Sequence, residues 1–193
     1  MKRGHARWYD CPAVTRLKTT LLLLLIASAL SAQEAPKLRA PDVRYEPTEN
    51  EIALAMLKLA NVKNTDLVYD LGCGDGRIVI LAAQRFGARG VGIDIDPQRI
   101  KEARENARKA GVAGKVEFRN EDLFEADISK ASAVMLYLFP WVNLKLRPKL
   151  LNELKPGTRV VSHSHHMGDW VPEKEIEVGG DKVYFWIIPE RKP

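Results

Sequence analysis

Cysteine is scarce in this 193-residue sequence, which contains only Cys11 and Cys73. Cys11 precedes an apolar run at residues 21–26 and would be lost with any leader that includes that run. Cys73 would then stand alone. This excludes an intramolecular disulfide, and no lipobox can be formed either.

The sequence also lacks an excess of positive charge once its first 32 residues are set aside. The whole chain has 30 Lys and Arg against 25 Asp and Glu, a formal net charge of +5. Without residues 1–32 the balance falls to 25 basic against 24 acidic residues. A basic stripe is the electrostatic footprint of a nucleic-acid binder, so we expect no nucleic-acid partner.

The apolar run near the N-terminus is about a dozen residues long, shorter than the roughly 20 that a spanning helix needs. Basic residues precede it and small residues through Ala32 follow it, which is the order of a secretory signal. We predict that residues 1–32 are a signal peptide, cleaved after Ala29 or Ala32, or an uncleaved hydrophobic anchor. The protein would then be exported to the periplasm or associated with a membrane. It would be cytoplasmic if translation starts at a later codon.

Residues 33–44, which include Pro36 and Pro41, predict an extended linker before a single domain at residues 45–193. Within that domain, strand-like segments alternate with helix-like segments. This alternation predicts an α/β fold with a doubly wound, mostly parallel sheet and an antiparallel end. Thr48 and Glu51 have the spacing of a capping box for an added N-terminal helix. A later helix is predicted at residues 144–154, with Pro148 marking either a kink or its true start.

Three glycines lie where the first predicted strand turns into a helix, which is where open α/β sheets bind ligands. Gly72, Gly74 and Gly76 permit a tight turn and a close approach of backbone N–H groups to a ligand. A dinucleotide fingerprint would place its third glycine at position 77, which is Arg77. The spacing therefore disfavours a pyrophosphate and an oxidoreductase, and it suits a small zwitterion joined to a nucleoside.

Three carboxylates are associated with the ends of three successive predicted strands. Asp70 lies in the first strand, Asp94 ends the second about 20 residues after the glycines, and Asp122 follows the third. A carboxylate in the position of Asp94 can accept two hydrogen bonds from a ribose diol, and Asp122 can accept one from an adenine amine. These carboxylates should converge on one crevice.

These motifs make residues 45–188 similar to the class I S-adenosylmethionine-dependent methyltransferases. The resemblance implies a Rossmann-like, seven-stranded sheet, with S-adenosyl-L-methionine as the cofactor. It implies that Asp94 holds the ribose and that Asp122, with Leu123 beside it, contacts adenine. The methionine part of the cofactor would be held by Asp70 and the glycines at positions 72, 74 and 76.

Within this superfamily, the chain most resembles the small protein-lysine methyltransferases typified by the ATP synthase c-subunit lysine methyltransferase. The resemblance is carried by residues 45–48 (Tyr-Glu-Pro-Thr), 70–80 and 122–124. That family usually has serine in place of Cys73 and glutamate in place of Asp94. The resemblance implies a protein lysine as the methyl acceptor, and it implies that Tyr45 and Thr48 lie beside the cofactor.

Residues 137–141 follow the fourth predicted strand, where methyltransferases place acceptor contacts, and Tyr137 is our candidate catalytic residue. Residues 163–166 include three histidines, and we expect them to rim the acceptor pocket because no partner with metal-ligand spacing lies nearby. The alternative is a non-catalytic protein that binds S-adenosylmethionine or a nucleoside, because an exported enzyme would be separated from a cytosolic donor.

Overall fold

The computed structural model describes residues 38–191. The predictions for residues 1–32 and for most of the linker lie outside the described residues. In the described part the helices are α1 (Asn50–Leu59), α2 (Arg77–Phe86), α3 (Pro97–Lys109) and α4 (Pro140–Glu153). The strands are β1 (Leu67–Leu71), β2 (Arg89–Asp94), β3 (Val116–Asn120), β4 (Ala133–Leu136), β5 (Arg159–His163), β6 (Lys174–Val178) and β7 (Asp181–Ile187).

The seven strands form one sheet in the order β3-β2-β1-β4-β5-β7-β6. Strands β1 to β5 pair in parallel, whereas β7 is antiparallel to both β5 and β6. This arrangement confirms the predicted doubly wound, mostly parallel sheet with an antiparallel end. The strand order reverses between β1 and β4, so the carboxyl end of β1 is the switch point at which such sheets bind ligands.

Hydrophobic clusters cover both faces of the sheet. Val68 of β1 packs with α1, α2 and α3, while its neighbours Tyr69 and Leu71 pack on the opposite face with α4. Side chains alternate between the two faces of a strand, so a strand buried on both sides needs a continuous apolar run. Cys73 is buried in the first cluster, where its small size suits the packing.

The predicted capping box of α1 is wrong. The N-cap is Glu49 and makes no side-chain capping hydrogen bond. Thr48 is buried one residue earlier, where its hydroxyl lies 3.2 Å from Nδ1 of His163. A tertiary partner has therefore replaced the local one, and α1 is held instead by buried side chains such as Ile52 and Met56.

Helix α4 begins at Pro140, four residues before the predicted start, and continues through Pro148. Phe139, the residue before it, is extended, and Pro140 fits the first turn because its missing N–H has no partner there in any case. A proline inside a helix costs about 3 kcal/mol. Val142, Leu146 and Leu150 are fully or almost fully buried at a spacing of four residues, and this stripe keeps the helix intact. Among residues 38–191, no helix has both the length and the apolar character to cross a membrane.

Candidate active site

The loop between β1 and α2 has a backbone that depends on glycine. Gly72, Gly74 and Gly76 have φ angles of +83°, +52° and +80°. A Cβ on Gly72 would lie 2.8 Å from Cδ2 of Leu138, and one on Gly74 would collide with the ring of Tyr45. The loop is also tied to β2, because the N–H groups of Gly72 and Cys73 donate to the carbonyl of Ile93 at 2.8 and 2.9 Å.

Two adjoining cavities open beside this loop. The larger has a volume of about 290 Å³, close to the lower end of small-molecule sites. The smaller, of about 30 Å³, lies against the glycine loop. Nine of the ten predicted site residues line one cavity or both; these are Tyr45, Thr48, Asp70, Gly72, Gly74, Asp94, Asp122, Leu123 and Tyr137. Gly76 lines neither, and its missing Cβ instead leaves room for Phe118 and Ala103 beneath the loop.

Asp70 borders the smaller cavity and is only 3% exposed. Burial, with smaller contributions from Asp94 and Asp75, raises the pKa of its carboxyl to about 8. Within residues 38–191, no cation within salt-bridge distance compensates for this burial. A buried carboxyl that faces a cavity and has no cationic partner is suited to bind a ligand ammonium group.

Asp94 is fixed at the carboxyl end of β2. Its Oδ2 accepts a hydrogen bond from the N–H of Gly74 at 2.8 Å, and its Oδ1 accepts one from the N–H of Asp96 at 2.9 Å. Burial raises the pKa of this carboxyl, although the two N–H groups partly oppose the shift. A carboxylate has about four acceptor sites, so two stay available for a ligand diol.

Asp122 has a partner that the sequence did not indicate. Arg39 donates from Nε to Oδ2 at 2.5 Å and from Nη2 to Oδ1 at 3.0 Å. Burial alone would raise the pKa of Asp122, but the hydrogen bonds from Arg39 hold it below its ordinary value. The predicted contact of Asp122 with adenine stays a prediction, and Arg39 binds this carboxylate in the structure.

Arg39 belongs to a segment that we predicted to be linker. Residues 39 and 41–44 line the larger cavity, and the compact folded unit extends from Leu38. The folded domain therefore begins before the predicted boundary at Tyr45. No local sequence pattern could have revealed this, because the partner of Arg39 lies 83 residues further along the chain.

Residues 45–48 form one wall of the site and are fastened to the glycine loop. Arg77 donates to the carbonyl of Thr48 at 3.0 Å and binds Asp75 through both Nε and Nη2, at 2.9 and 2.8 Å. The guanidinium of Arg99 lies 4.6 Å from the ring centroid of Tyr45. Arg99 was missed in the sequence because its position in the first turn of α3 does not indicate a contact with Tyr45.

Tyr137 forms the opposite wall and borders both cavities. Its ring stacks on that of His163, with the centroids 3.9 Å apart. Burial raises the pKa of its phenol, so the hydroxyl stays protonated at neutral pH and can donate or accept a hydrogen bond. Phe139 and His165 extend this wall along the larger cavity.

The three histidines near the end of β5 have separate surroundings. His163 is buried, His165 borders the larger cavity, and Nδ1 of His166 accepts a hydrogen bond from the N–H of Gly168 at 2.9 Å. In the part of the chain that the structure describes, no group of three or more His, Cys, Asp or Glu side chains is placed to hold a metal ion.

Comparison with known proteins decides what kind of site this is. The family model of the ANTKMT methyltransferase domain matches residues 70–174. A protein-lysine N-methyltransferase of Saccharolobus islandicus is 45% identical over 157 residues, which are 79% of this chain and 98% of that protein. This chain belongs to the ANTKMT methyltransferase domain family. The ATP synthase c-subunit lysine N-methyltransferase of Xenopus laevis is 31% identical over 170 residues, covering 88% of this methyltransferase and 73% of the relative.

Among solved structures, this methyltransferase is similar to an RNA methyltransferase from Salinibacter ruber in complex with S-adenosyl-L-homocysteine. The TM-score is 0.75 with 59% identity, over 77% of this chain and 97% of that one. The chain is thus an S-adenosylmethionine-dependent methyltransferase, and a purely non-catalytic binding role is not favoured. Its site fits the cofactor, because the glycine cradle excludes side chains and Asp70 offers a buried carboxyl to an ammonium group.

Proposed function

We propose that this methyltransferase acts on the side-chain nitrogen of a protein lysine. The names of the relatives offer two kinds of acceptor: protein lysine for the Saccharolobus and Xenopus proteins, and RNA for the Salinibacter protein. The charge of the cavity favours lysine. Its acidic lining residues outnumber its basic ones, with Asp42, Glu46, Asp94, Asp96 and Asp122 against Arg39, Arg44 and Arg99.

A negative cavity attracts an ammonium group and repels a phosphodiester, because a cleft concentrates the field of the charges that line it. Glu46 borders both cavities, on the same wall as Tyr45. Its carboxylate is thus placed to attract a lysine that enters between the two walls. The near-equal numbers of acidic and basic residues beyond residue 32 support the same acceptor.

The cofactor would be held by the predicted residues: the glycine loop and Asp70 at its methionine end, Asp94 at its ribose, and Asp122 with Leu123 at its adenine. When bound, it supplies an electrophilic methyl group. The protein must then align the acceptor lone pair with that methyl, and alignment alone can supply much of the reduction in the barrier. A lysine must first lose its proton, and an aromatic wall such as Tyr137 and Phe139 favours the neutral amine by excluding water.

The acceptor can be identified in lysate of the source cell. We expect the full-length enzyme and isotope-labelled S-adenosylmethionine to place the label on lysine side chains, as measured by mass spectrometry of digested proteins. Parallel samples treated with ribonuclease and with protease separate the two acceptor classes. Label that is lost with ribonuclease but survives protease would overturn the lysine proposal and leave the methyltransferase assignment intact.

We further propose that residues 1–32 act as a targeting segment, a signal peptide or a membrane anchor, because basic, apolar and small residues follow one another there. A reporter fused after Ala40 should leave the cytoplasm or sediment with membranes. The matched control is the same fusion without residues 1–32, which should stay cytosolic. An intact full-length fusion found in the soluble cytosol would contradict the proposal.

A further inference from the structure

His163 contacts one residue on each of the two walls of the site. It ends β5 and is only 3% exposed. Its Nδ1 lies 3.2 Å from the hydroxyl of Thr48, and its ring stacks on Tyr137 with 3.9 Å between centroids. Thr48 belongs to the wall formed by residues 45–48, and Tyr137 is the opposite wall. One side chain thus contacts both sides of the smaller cavity.

The other ring nitrogen of His163, Nε2, faces the carboxylate of Asp181. Nε2 is buried without a hydrogen-bond partner among residues 38–191, and the nearest carboxylate oxygen, Oδ2 of Asp181, is 3.6 Å away. Asp181 is held there by the hydroxyl of Ser164, which donates to its Oδ1 at 3.2 Å. Asp181 therefore lies beside the ring nitrogen that does not face Thr48.

We propose that His163 is a positioning residue for methyl transfer, which sets the separation between Thr48 and Tyr137 and thereby the line along which the acceptor approaches. This inference depends on the methyltransferase activity of the chain and holds whether the acceptor is a lysine or another nucleophile. His163 itself does not line either cavity, so it acts through the two residues that do.

The surroundings of the His163 ring determine its charge and which of its two nitrogens carries the proton. Burial lowers the pKa of His163, as does His165, while Asp181 and Glu46 raise it in part, so the ring is neutral at pH 7. A neutral imidazole carries one N–H, and the carboxylate of Asp181 favours its location on Nε2. Nδ1 then accepts from the hydroxyl of Thr48. This hydrogen bond has a fixed direction and holds the chain at the start of α1 against the ring.

Loss of these contacts should slow methyl transfer, because a displacement of about 1 Å at a reacting centre can cost about 100-fold in rate. His163→Phe keeps a ring that can stack on Tyr137 but removes the acceptor for Thr48. Thr48→Val removes only the hydroxyl and keeps the shape of the side chain. We expect each change to lower the methyl-transfer rate at saturating cofactor by about 10- to 100-fold. The Kd for S-adenosylhomocysteine should change by less than about 3-fold, because the hydroxyl of Thr48 is bound to His163 and is not a contact that the cofactor can lose.

The test measures S-adenosylhomocysteine release by the full chain with desalted source-cell lysate as acceptor, and cofactor binding by calorimetry. The double variant should lose no more rate than the single variants, because both remove the same hydrogen bond. Thr48→Ser, which restores the hydroxyl, should recover most of the rate. The proposal would be overturned if the rate losses of the two single variants add in the double variant, or if the single variants keep the wild-type rate. Equal losses of rate and of cofactor affinity would overturn it as well. If His163→Phe does not fold, Thr48→Val and Thr48→Ser carry the test alone.

Discussion

Replacing Asp70 with asparagine should weaken the binding of S-adenosylmethionine by about 10- to 100-fold. A hydrogen bond between charged groups contributes about 1.5–3 kcal/mol, and each 1.4 kcal/mol corresponds to about tenfold in Kd. Asp70 has little opposing solvation to lose, because it is already buried at the cavity wall. Asparagine has nearly the same shape, so the cradle stays intact. Calorimetry with the full chain measures the change.

Proton release separates this role of Asp70 from a general loss of shape. With its pKa raised to about 8, the carboxyl of the free enzyme is mostly protonated at pH 7. A cofactor ammonium group favours the ionised form, so binding expels a proton and affinity rises with pH until the pKa is passed. Between about pH 6 and 7.5 the rise should approach tenfold per pH unit for the wild type and should be absent for Asp70→Asn.

The same linkage gives the free enzyme the opposite dependence. Asp70 has a higher pKa folded than unfolded, so the folded state binds its proton more tightly. Stability from this group is therefore present at low pH and declines as pH rises toward 8.

Calorimetry of cofactor binding in two buffers of different ionisation enthalpy counts the protons released on binding. Asp94→Asn is the control, because it weakens ribose binding but leaves Asp70 buried, and burial is the largest cause of the raised pKa, so most of the proton release should remain. A wild-type enzyme that releases no proton would refute the assignment.

The parts of the site that the sequence predicted are those controlled by local spacing. Gly72, Gly74 and Asp94 lie close together because the carboxyl ends of adjacent parallel strands meet at one edge of the sheet. An alternating pattern of strands and helices is enough to predict that arrangement.

The contacts that the sequence missed join residues far apart in the chain. Arg39 and Asp122 are separated by 83 positions, and Thr48 and His163 by 115. Thr48 also shows how a correct local pattern can give a wrong prediction. Its spacing to Glu51 fits a capping box, but His163 provides a buried partner for the hydroxyl, and burial makes that hydrogen bond the stronger competitor.

Changing Arg159 to leucine should destabilise the fold by about 2–4 kcal/mol without altering the chemistry of the site. Arg159 is the first residue of β5 and lies at the amino ends of the parallel strands. The cofactor loop follows the carboxyl end of β1, on the other side of the sheet's length. Its guanidinium binds Oδ1 of Asp66 at 2.5 Å and donates to the carbonyls of Ser132 at 3.0 Å and Ala60 at 2.9 Å. Removing it leaves the carboxylate of Asp66 buried without its cation, which is the costly way to break such a pair.

The pKa of Asp66 explains how this variant should depend on pH. Burial alone raises that pKa, but the hydrogen bonds from Arg159, Lys63 and Ser132 hold it below its ordinary value. A depressed carboxyl pKa contributes stability that is present at neutral pH and lost as pH falls through the acidic range. The wild type should therefore lose more stability on acidification than Arg159→Leu does. The free energies of unfolding of the two proteins should approach each other at low pH.

Urea unfolding at pH 7 measures the difference between these proteins, and a loss of 2–4 kcal/mol corresponds to a fall in Tm of about 4–16 °C for a chain of this length. Arg119→Leu is the matched control, since it removes a half-buried arginine that binds the exposed carboxylate of Glu117 at 2.7 Å, and pairs at the surface contribute about 0–1 kcal/mol. The Kd for S-adenosylhomocysteine should be unchanged in both folded variants. Equal stability losses for Arg159→Leu and Arg119→Leu would show that burial of Asp66 does not matter, because that burial is what distinguishes the two pairs.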